Sequence, residues 1–408
     1  MSDVRARRPP RPRRRGRLRA ALVIVLVLVA GALAFALWPE GADGPEAGIQ
    51  ATLSVREALG GAGAGFARAL APRPLAFPDD HGPHPDYRTE WWYYTGNLRT
   101  RGGRHFGFQL TFFRVALAPP PGTEATPEPP EPRASAWPAR QLYVAHFAVT
   151  DTESHRFHAA SRASREALGL AGAHARPFRV WVEDWSVVGE EPDSLPMRLR
   201  AARGGVAVDL RLTAAKPVAL QGDDGLSRKG PEPGNASHYY SFTRMAAEGT
   251  VRVGSEPFDV AGLAWMDREW STSALGADLA GWDWFALQLD DGRELMFYLL
   301  RGRDGRAGPF SAGSLVAEDG TVRRLGGDQV AIETLEHWTS PRSGVRYPSR
   351  WQVRLPSEEL VLDVDPRLPH QELLVGTRYW EGAVAVRGTA GRRPVMGQGY
   401  VELVGYGE

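Results

Sequence analysis

The sequence of 408 residues contains no cysteine. Disulfide bonds, thiolate metal sites and cysteine nucleophiles are therefore excluded. The sequence also has no Gly-x-Ser-x-Gly segment, which many serine hydrolases place at a sharp turn between a strand and a helix. No glycine-rich phosphate loop leads from a strand into a helix, so no nucleotide cofactor is predicted.

Grouped metal ligands are scarce as well. Two histidine pairs, His81 with His84 and His155 with His158, are the only close pairs. Both lie in segments typical of loops, and we interpret them as polar loop histidines. The sequence thus predicts neither a metal site nor any other cofactor.

Positive charge is concentrated at the start of the chain. Nine of the 49 basic residues are arginines within residues 5–19, and the one acidic residue near them is Asp3. The rest of the chain keeps 40 basic and 47 acidic residues, a formal charge of −7. This excess of acidic residues argues against general nucleic-acid binding and repels anionic ligands at long range.

One long apolar run, residues 20–38, follows the basic segment. At ~1.5 Å per residue it is just long enough to span a bilayer core. Arginines before the run, and none shortly after it, predict a cytoplasmic tail at residues 1–19 and a body outside the cytoplasm. The run is either a retained signal anchor or a cleaved signal peptide, for which residues 34–36 form a weak cleavage site. We favour the anchor, with residues 39–76 as a linker.

The remaining chain is rich in short β-prone segments and has no long amphipathic helical pattern. Thirteen tryptophans and 46 glycines are consistent with many strands and turns. Two hairpins are predicted where such segments flank an Asp-Gly turn, over residues 282–301 and 314–325. Short strands at this spacing are typical of antiparallel sandwiches or barrels. We predict two barrel-like domains, residues 77–250 and 251–408, that share an apolar interface.

Ionisable residues stand singly among large aromatic residues in two segments, NASHYYSFTR at 235–244 and VAGLAWMDREWSTSALGADLAGWDWF at 260–285. In an extended strand, the side chains i, i+2 and i+4 lie on one face. The residues that share a face are His238, Tyr240 and Phe242 in the first segment, and Trp265 and Asp267 in the second. If these two faces converge, a carboxyl and an imidazole stand in an aromatic-walled cavity.

Asp267 is the candidate with the clearest chemistry. Burial beside tryptophan disfavours the charged carboxylate, so its pKa should rise. An acid that stays neutral near pH 7 can protonate a weakly basic atom, and each nearby aromatic face stabilises a developing cation by about 0.5–2 kcal/mol. This combination suits acid-initiated chemistry on an alkene. A structural alternative is a buried ion pair with an arginine, although the adjacent Arg268 points to the opposite face.

Eight blocks of the sequence are long and unusual: PDYRTEWWYYTGNL, FGFQLTFFR, GDDGLSRKG, NASHYYSFTR, GLAWMDREWS, GWDWFALQLDDGRELM, YWEGAVAVRG and GQGYVELVGY. They resemble the AttH-like family, which is related to the carotenoid 1,2-hydratases and whose members are often described as predicted secreted hydrolases. The resemblance extends from about Phe77 to Tyr406. It implies two lipocalin-like β-barrel domains with a ligand cavity between or within them.

The resemblance also implies an activity, the cofactor-free addition of water to an isolated double bond. Asp267 in WMDREW matches the aspartate thought to protonate the bond, and His238 in SHYYSF matches an associated histidine. Tyr240 and Trp265 match aromatic positions near them. In this hypothesis these two aromatic residues shield the cation, while His238 orients Asp267 or positions the water.

Two functions therefore remain open. The first is a carotenoid hydratase-like lyase, in which Phe242, Trp282 and Trp284 complete the substrate site. The second is a non-catalytic lipid carrier of the cell envelope, working with a neighbouring transporter, which needs apolar walls but no neutral acid. In both cases the expected ligand is an apolar, isoprenoid-like lipid, because the candidate pocket is mostly aromatic. The expected location is the envelope, with the body outside the cytoplasm, or secretion if the apolar run is cleaved.

The anchor hypothesis has a direct test. The full-length protein should remain in washed membranes, and protease should reach its body only from outside the cytoplasm, because residues 20–38 hold it in the bilayer. Cell fractionation followed by N-terminal sequencing would check this. Recovery of a soluble form that lacks residues 1–36 would show that the run is a cleaved signal peptide.

Overall fold

The computed structural model describes residues 63–120, 140–190, 194–272, 276 and 278–407. These residues form antiparallel strands almost throughout, so the all-β prediction is confirmed. The helical segments among them are short 3-10 helices at Asp79–His81, Ala167–Gly169 and Pro356–Glu358.

The predicted N-terminal segments lie outside the described residues. These are the tail at 1–19, the apolar run at 20–38 and residues 39–62 of the linker. In the part of the chain that the structure describes, no helix is both long enough and apolar enough to cross a membrane. The anchor and the localisation stay predictions.

The first sheet comprises thirteen described strands. They are β1 (Thr89–Arg99), β2 (His105–Ala116), β3 (Gln141–Asp151), β4 (Arg156–Arg165), β5 (Ala171–Ala175), β6 (Phe178–Val182), β7 (Trp185–Gly189), β8 (Met197–Arg203), β9 (Val206–Ala214), β10 (Ala219–Leu220), β11 (Leu226–Arg228), β12 (Ala236–Val253) and β13 (Glu256–Ser271). Aromatic and β-branched residues dominate the central strands, as the pleated, buried environment favours.

The second sheet comprises ten described strands. They are β14 (Leu279–Leu289), β15 (Glu294–Gly302), β16 (Ala312–Val316), β17 (Val322–Gly326), β18 (Ala331–Thr339), β19 (Arg346–Leu355), β20 (Leu360–Pro366), β21 (Glu372–Leu374), β22 (Arg378–Ala390) and β23 (Arg393–Val404). The two hairpins predicted at 282–301 and 314–325 are confirmed as β14–β15 and β16–β17.

Both sheets have the same topology, in which the first strand pairs with the last. The first sheet has the order β4-β3-β2-β1-β13-β12-β9-β8-β7-β6-β5, with β10 and β11 also paired to β12. The second has the order β17-β16-β15-β14-β23-β22-β20-β19-β18, with β21 paired to β22. The two edge strands of each sheet are consecutive in the chain, which is the pattern of a barrel left open at one seam. One sheet is nearly a barrel and the other is a half-barrel.

The chain passes from the first sheet to the second after β13, between Ser271 and Leu279. The boundary predicted at residues 250/251 lies inside β12, which forms one hairpin with β13. Gly249, next to the predicted boundary, is a residue of this strand. An added Cβ there would lie 2.1 Å from the carbonyl oxygen of Asp209, so the close approach of β9 requires glycine. Whether the two sheets are separate folding units stays a prediction.

The central strands of the first sheet are buried on both faces. On β1, Trp92 and Tyr94 belong to the core of the first sheet, whereas Tyr93 belongs to the core shared with the second sheet. The Tyr93 hydroxyl donates a hydrogen bond to Glu381 of β22. Because both faces are buried, the sequences of these strands are almost continuously apolar and do not alternate between apolar and polar residues.

A β-bulge in β12 decides which side chains face the second sheet. Met245 pairs with Ala264 and Phe242 pairs with Met266, so residues 243–244 lie opposite a single residue of β13. A shift of one residue exchanges the two faces of a strand. In the part of β12 before the bulge, each side chain therefore points to the face opposite to the one it would occupy in a hairpin without the bulge.

Side chains of the second sheet hold this bulge. The Gln288 amide nitrogen donates to the backbone carbonyl of Thr243 at 2.8 Å and to that of Ala264 at 3.0 Å. Glu294 accepts hydrogen bonds from Thr243 and Arg244, the two bulge residues. The register of the first sheet is thus tied to the second sheet.

Glu294 should be a strong determinant of stability. It is fully buried and pairs with Lys216, at 2.8 Å, and with Arg244. Glu294→Gln leaves two cations without their anion and should lower the free energy of unfolding by about 3–5 kcal/mol. Chemical denaturation of the full-length chain measures this.

The matched control is Glu333→Gln, which removes an exposed pair with Arg354. This variant should change stability by less than about 1 kcal/mol. Equal stability losses in the two variants would contradict the assignment of Glu294 as an anchor of the bulge.

Candidate functional site

A cavity opens between the two sheets. Half of its lining residues are aromatic, and five carry a carboxyl or amino group. The lining residues are Trp91, Tyr93, Thr111, Phe113, Lys229, Tyr239, Asp267, Glu269, Trp282, Trp284, Tyr298, Leu300, Glu381 and Glu402. The space between these atoms, including the part open to solvent, is about 770 Å³.

Asp267 of β13 lies in the wall of this cavity with only 4% of its surface exposed. Three neutral donors hold its carboxyl group. Ser241 Oγ and Trp265 Nε1 donate to Oδ1 at 2.5 and 2.7 Å, and the Tyr239 hydroxyl lies 2.7 Å from Oδ2. Ser241 is the direct cross-strand partner of Asp267, which places the two side chains on one face.

Burial raises the pKa of Asp267 to about 7, because a charged carboxylate is poorly solvated there. The hydrogen bonds from Ser241, Tyr239 and Trp265 oppose this effect without cancelling it, and the nearby Glu269 adds to the rise. Asp267 is therefore half protonated near neutral pH. A general acid works best when its pKa is close to the working pH.

The alternative of a buried ion pair for Asp267 is wrong. Arg268 points away from the cavity, where it pairs with Glu90 and lies 3.9 Å above the ring of Trp92. Among the described residues, Asp267 has no salt-bridge partner. Its raised pKa is thus not offset by a cation.

The donors around Asp267 fix the position of its proton. The indole nitrogen of Trp265 can only donate, and the hydroxyl of Ser241 already accepts from Gln221 at 2.9 Å. Both groups therefore donate to Oδ1, and the proton of the neutral acid lies on Oδ2. This proton faces the Tyr239 hydroxyl.

Tyr239 connects this proton to the cavity. Its hydroxyl also accepts a hydrogen bond from Trp284 Nε1 at 3.3 Å. When Asp267 is protonated, the hydroxyl accepts two hydrogen bonds and has its own hydrogen free to point into the cavity. Burial, reinforced by the charge of Asp267, keeps the pKa of Tyr239 well above its usual range, so it remains a donor.

Two more carboxyl groups enter the cavity from the second sheet. Glu381 of β22 and Glu402 of β23 are direct cross-strand partners. Burial raises the pKa of Glu402 to about 7, the Trp282 indole at 3.2 Å opposes the shift, and Asp267 and Glu269 add to it. Burial and the neighbouring Glu402 raise the pKa of Glu381 well above its usual range.

Glu269 differs from the other three carboxyls because it has a cation. Lys229 Nζ lies 3.4 Å from Glu269 Oε1 and 3.8 Å from the centre of the Tyr298 ring. Ser237 also donates to Glu269. Glu269 is therefore a paired carboxylate, while Asp267, Glu381 and Glu402 are held by neutral donors.

The structure brings together four of the seven site residues predicted from the sequence. Asp267, Trp282 and Trp284 line the cavity, and Trp265 contacts both Asp267 and Trp284. Trp284 also meets Tyr93 edge to face at 5.2 Å between ring centres.

The other three predicted site residues, His238, Tyr240 and Phe242, lie on the opposite face of β12. His238 Nε2 contacts the Tyr87 hydroxyl at 3.1 Å, and burial, with nearby Arg73, lowers its pKa to about 4. The Tyr240 hydroxyl contacts His81 Nδ1 at 2.6 Å. The predicted convergence of the two faces is wrong, because the bulge exchanges the faces of this part of β12.

Sequence reasoning missed Tyr239, Ser241, Glu381 and Glu402. No local signal identified the first pair, because the β12–β13 hairpin without its bulge would place Phe242, and not Ser241, opposite Asp267. Glu381 stands beside Trp380, an aromatic setting like that of Asp267, but a single carboxylate in such a setting is more often structural. Glu402 has no local signal and reaches the cavity because the first and last strands of the second sheet pair.

The raised pKa of Asp267 predicts how stability depends on pH. The folded state keeps this proton up to about pH 7, whereas the unfolded chain loses it near pH 4, so its contribution to stability falls between these values. Asp267→Asn has no such proton to lose. Its free energy of unfolding relative to that of the wild type should therefore rise by up to about 4 kcal/mol between pH 4 and pH 8. Denaturant unfolding at several pH values measures the gap.

Asp259→Asn on the same strand serves as the control, because Asp259 is exposed. Its stability difference from the wild type should not vary with pH by this amount. If the gap between Asp267→Asn and the wild type were the same at pH 4 and pH 8, Asp267 would not be a buried neutral acid.

Comparison with known proteins confirms the predicted resemblance. The AttH-like family model matches residues 68–406. A crystal structure from Nitrosomonas europaea, described as an AttH, is 33% identical and superposes with a TM-score of 0.72 over 84% of this chain and 100% of that one. Kievitone hydratase from Nectria haematococca has the same fold at 15% identity, with a TM-score of 0.62 over 84% of this chain and 96% of that one.

A curated relative is similar over part of its length. The dehydratase asqC of Emericella nidulans is 26% identical over 223 residues, which are 51% of this chain and 61% of that protein. The match thus spans less than two thirds of that relative. With a family match that extends over residues 68–406, the chain belongs to the AttH-like family.

Proposed function

We propose that this protein is a cofactor-free lyase that adds water to, or removes water from, an apolar substrate held between the two sheets. The observation that carries the proposal is Asp267, an acid with a pKa of about 7 that is buried without a cation in an aromatic cavity. A neutral acid in this setting supplies the proton that water addition to a carbon–carbon double bond requires.

The proton passes from Asp267 through Tyr239. In the addition direction, the Tyr239 O–H proton forms the new C–H bond with the π electrons, and the Asp267 proton replaces it on the tyrosine oxygen. The substrate becomes a carbocation and Asp267 becomes a carboxylate. The rings of Trp282 and Trp284 stabilise this cation by about 0.5–2 kcal/mol each. Water then forms the C–O bond, one of its O–H bonds breaks, and the proton that leaves balances the charge of the Asp267 carboxylate.

The names of two similar proteins support this chemistry. Kievitone hydratase and the dehydratase asqC are named for adding and removing water, respectively. Addition and elimination are the two directions of one reaction, and a single acid–base centre serves both. The substrate class proposed for this chain is an isoprenoid-like alkene, or the tertiary alcohol formed from it.

The carboxyl groups of the cavity favour an enzyme over a carrier. A carrier of apolar lipids needs apolar walls, and each buried carboxyl without a cation is costly to keep there. Asp267 and Glu381 are buried in these walls, and the partly buried Glu402 lies beside them. The lipocalin-like character of the sheets, the envelope location, membrane attachment through residues 20–38 and a neighbouring transporter remain parts of the proposal.

The proposal predicts hydration of an isolated terminal double bond. The full-length protein is incubated with geranylgeraniol and with lycopene in oxygen-18 water, and the alcohols are detected by mass spectrometry. Asp267→Asn keeps the hydrogen bonds of the neutral acid but cannot release a proton, so the rate should fall about 10²–10⁴-fold. The rate of Tyr239→Phe should fall by a similar factor, because this variant lacks the hydroxyl that passes the proton to the substrate.

Binding provides the control for this experiment. Quenching of tryptophan fluorescence by geranylgeraniol should be preserved in Asp267→Asn, and Asp259→Asn should retain full activity. Hydration by Asp267→Asn at the wild-type rate would exclude Asp267 as the acid. Tight binding with no labelled product from either substrate would favour the carrier.

A further inference from the structure

Hydration of an alkene needs a base as well as an acid. Once Asp267 has released its proton, water attacks the carbocation and must itself lose a proton. Asp267 lies on the first sheet, behind the hydroxyl of Tyr239. A base that acts on the attacking water has to reach the cavity from another direction.

The cavity offers three further carboxyl groups, and their partners distinguish them. Glu269 is already paired with Lys229 and hydrogen-bonded by Ser237. Glu381 and Glu402 are held by neutral donors, the Tyr93 hydroxyl and the Trp282 indole. Among the described residues neither has a salt-bridge partner.

The pair also has spare hydrogen-bonding capacity. Glu381 has 1% of its surface exposed, and its Oε2 has no hydrogen-bond partner among the described atoms. Glu402 uses Oε2 for Trp282. Both side chains line the same cavity as Asp267, from the facing sheet. A buried polar atom without a partner is rare in proteins and indicates a place for a polar group that the cavity receives, here a water molecule.

We infer that Glu402, with Glu381 beside it, is the second acid–base group of the proposed reaction, and that it binds and deprotonates the attacking water opposite Asp267. This inference rests on the proposed function and extends it. Glu402 is the base because its carboxyl interacts electrostatically with Asp267, whereas the charge that acts on Glu381 is that of Glu402. Glu381 is a positioning residue that holds the water and the second carboxyl.

The proton balance of the cycle is complete. In addition, Asp267 gives up one proton through Tyr239, and the π electrons form the C–H bond. The oxygen of water forms the C–O bond, its O–H bond breaks, and Glu402 takes the proton. The cycle resets when one proton returns to Asp267 and one leaves Glu402 through solvent. In elimination, Glu402 protonates the leaving hydroxyl and Asp267 receives the proton from carbon.

This cycle needs one carboxyl protonated and the other ionised, and the charges in the cavity favour that state. The charged or titratable groups that line the cavity with Glu402 are Asp267, Glu269, Lys229, Glu381, Tyr93, Tyr239 and Tyr298, and Tyr379 also interacts with Glu402. Lys229 compensates Glu269, so the remaining carboxylates repel one another. Like charges in one buried site titrate in separate steps.

Infrared titration tests this coupling without a substrate. The C=O stretch of buried carboxylic acids is followed against pH in the full-length wild type and in Glu402→Gln. Removal of Glu402 should lower the midpoint at which Asp267 loses its proton, and Asp267→Asn identifies that band. An unchanged midpoint in a folded Glu402→Gln variant would overturn the inference.

The matched control is Glu372→Gln. Glu372 is a buried glutamate of the second sheet, but it accepts hydrogen bonds from Ser340, Ser343 and Tyr347 and does not line the cavity. The Glu372→Gln variant should leave the titration midpoint of the Asp267 C=O band unchanged. If Glu402→Gln does not fold, the wild-type titration decides: coupled carboxyls give two separated steps, and a single uncoupled step overturns the inference.

A deuterium experiment separates the two carboxyls during turnover. With geranylgeraniol in heavy water, Glu402→Gln should still protonate the double bond and place deuterium in the recovered alkene. Its yield of alcohol should fall about 10²–10⁴-fold. Asp267→Asn should give neither deuterated alkene nor alcohol.

The two proposals fail in different ways. Absence of deuterium and of alcohol with the wild-type protein would count against the proposed function, and the infrared titration would still decide whether the carboxyls are coupled. Alcohol formation by Glu402→Gln at the wild-type rate would reject Glu402 as the base, while the proposed function would stand.

Discussion

The bulge in β12 is the constraint on which the whole site depends. Without the extra residue at 243–244, the hairpin register would place Phe242 opposite Asp267. With it, Ser241 takes that place and Tyr239 moves to the cavity face. The amide of Gln288 binds the backbone at the bulge, so the second sheet selects the register in which the first sheet supports an acid.

The same strands perform two physical tasks on their two faces. Toward the first sheet, Trp92, Tyr94 and Trp270 fill a core that excludes water. Toward the second sheet, their neighbours Tyr93 and Asp267 enclose a cavity where the same exclusion of water makes a carboxylate unfavourable. Water exclusion is thus both what stabilises the fold and what raises the pKa of the acid.

The sequence predicted the fold class and part of the site, for identifiable reasons. Trp265 and Asp267 share a face because they are two residues apart on one strand, and that relation needs no knowledge of tertiary structure. Which residues of β12 lie beside Asp267 depends on the bulge, and the bulge is held by a hydrogen bond from Gln288 of the other sheet. The periodicity of β12 alone therefore predicts the wrong face, with Tyr240 in place of Tyr239.

One close contact between the sheets has a consequence for substrate size. At Gly107 of β2, an added Cβ would lie 2.6 Å from the Cβ of Ala383 on β22 and 3.2 Å from the Tyr400 hydroxyl. The spacing of the two sheets is therefore limited at this point by the absence of a side chain. A larger residue at this position would increase the distance between the sheets and so widen the cavity, although every residue that lines the cavity stays the same. Within this fold, the width available to a substrate can change through a residue that never touches it.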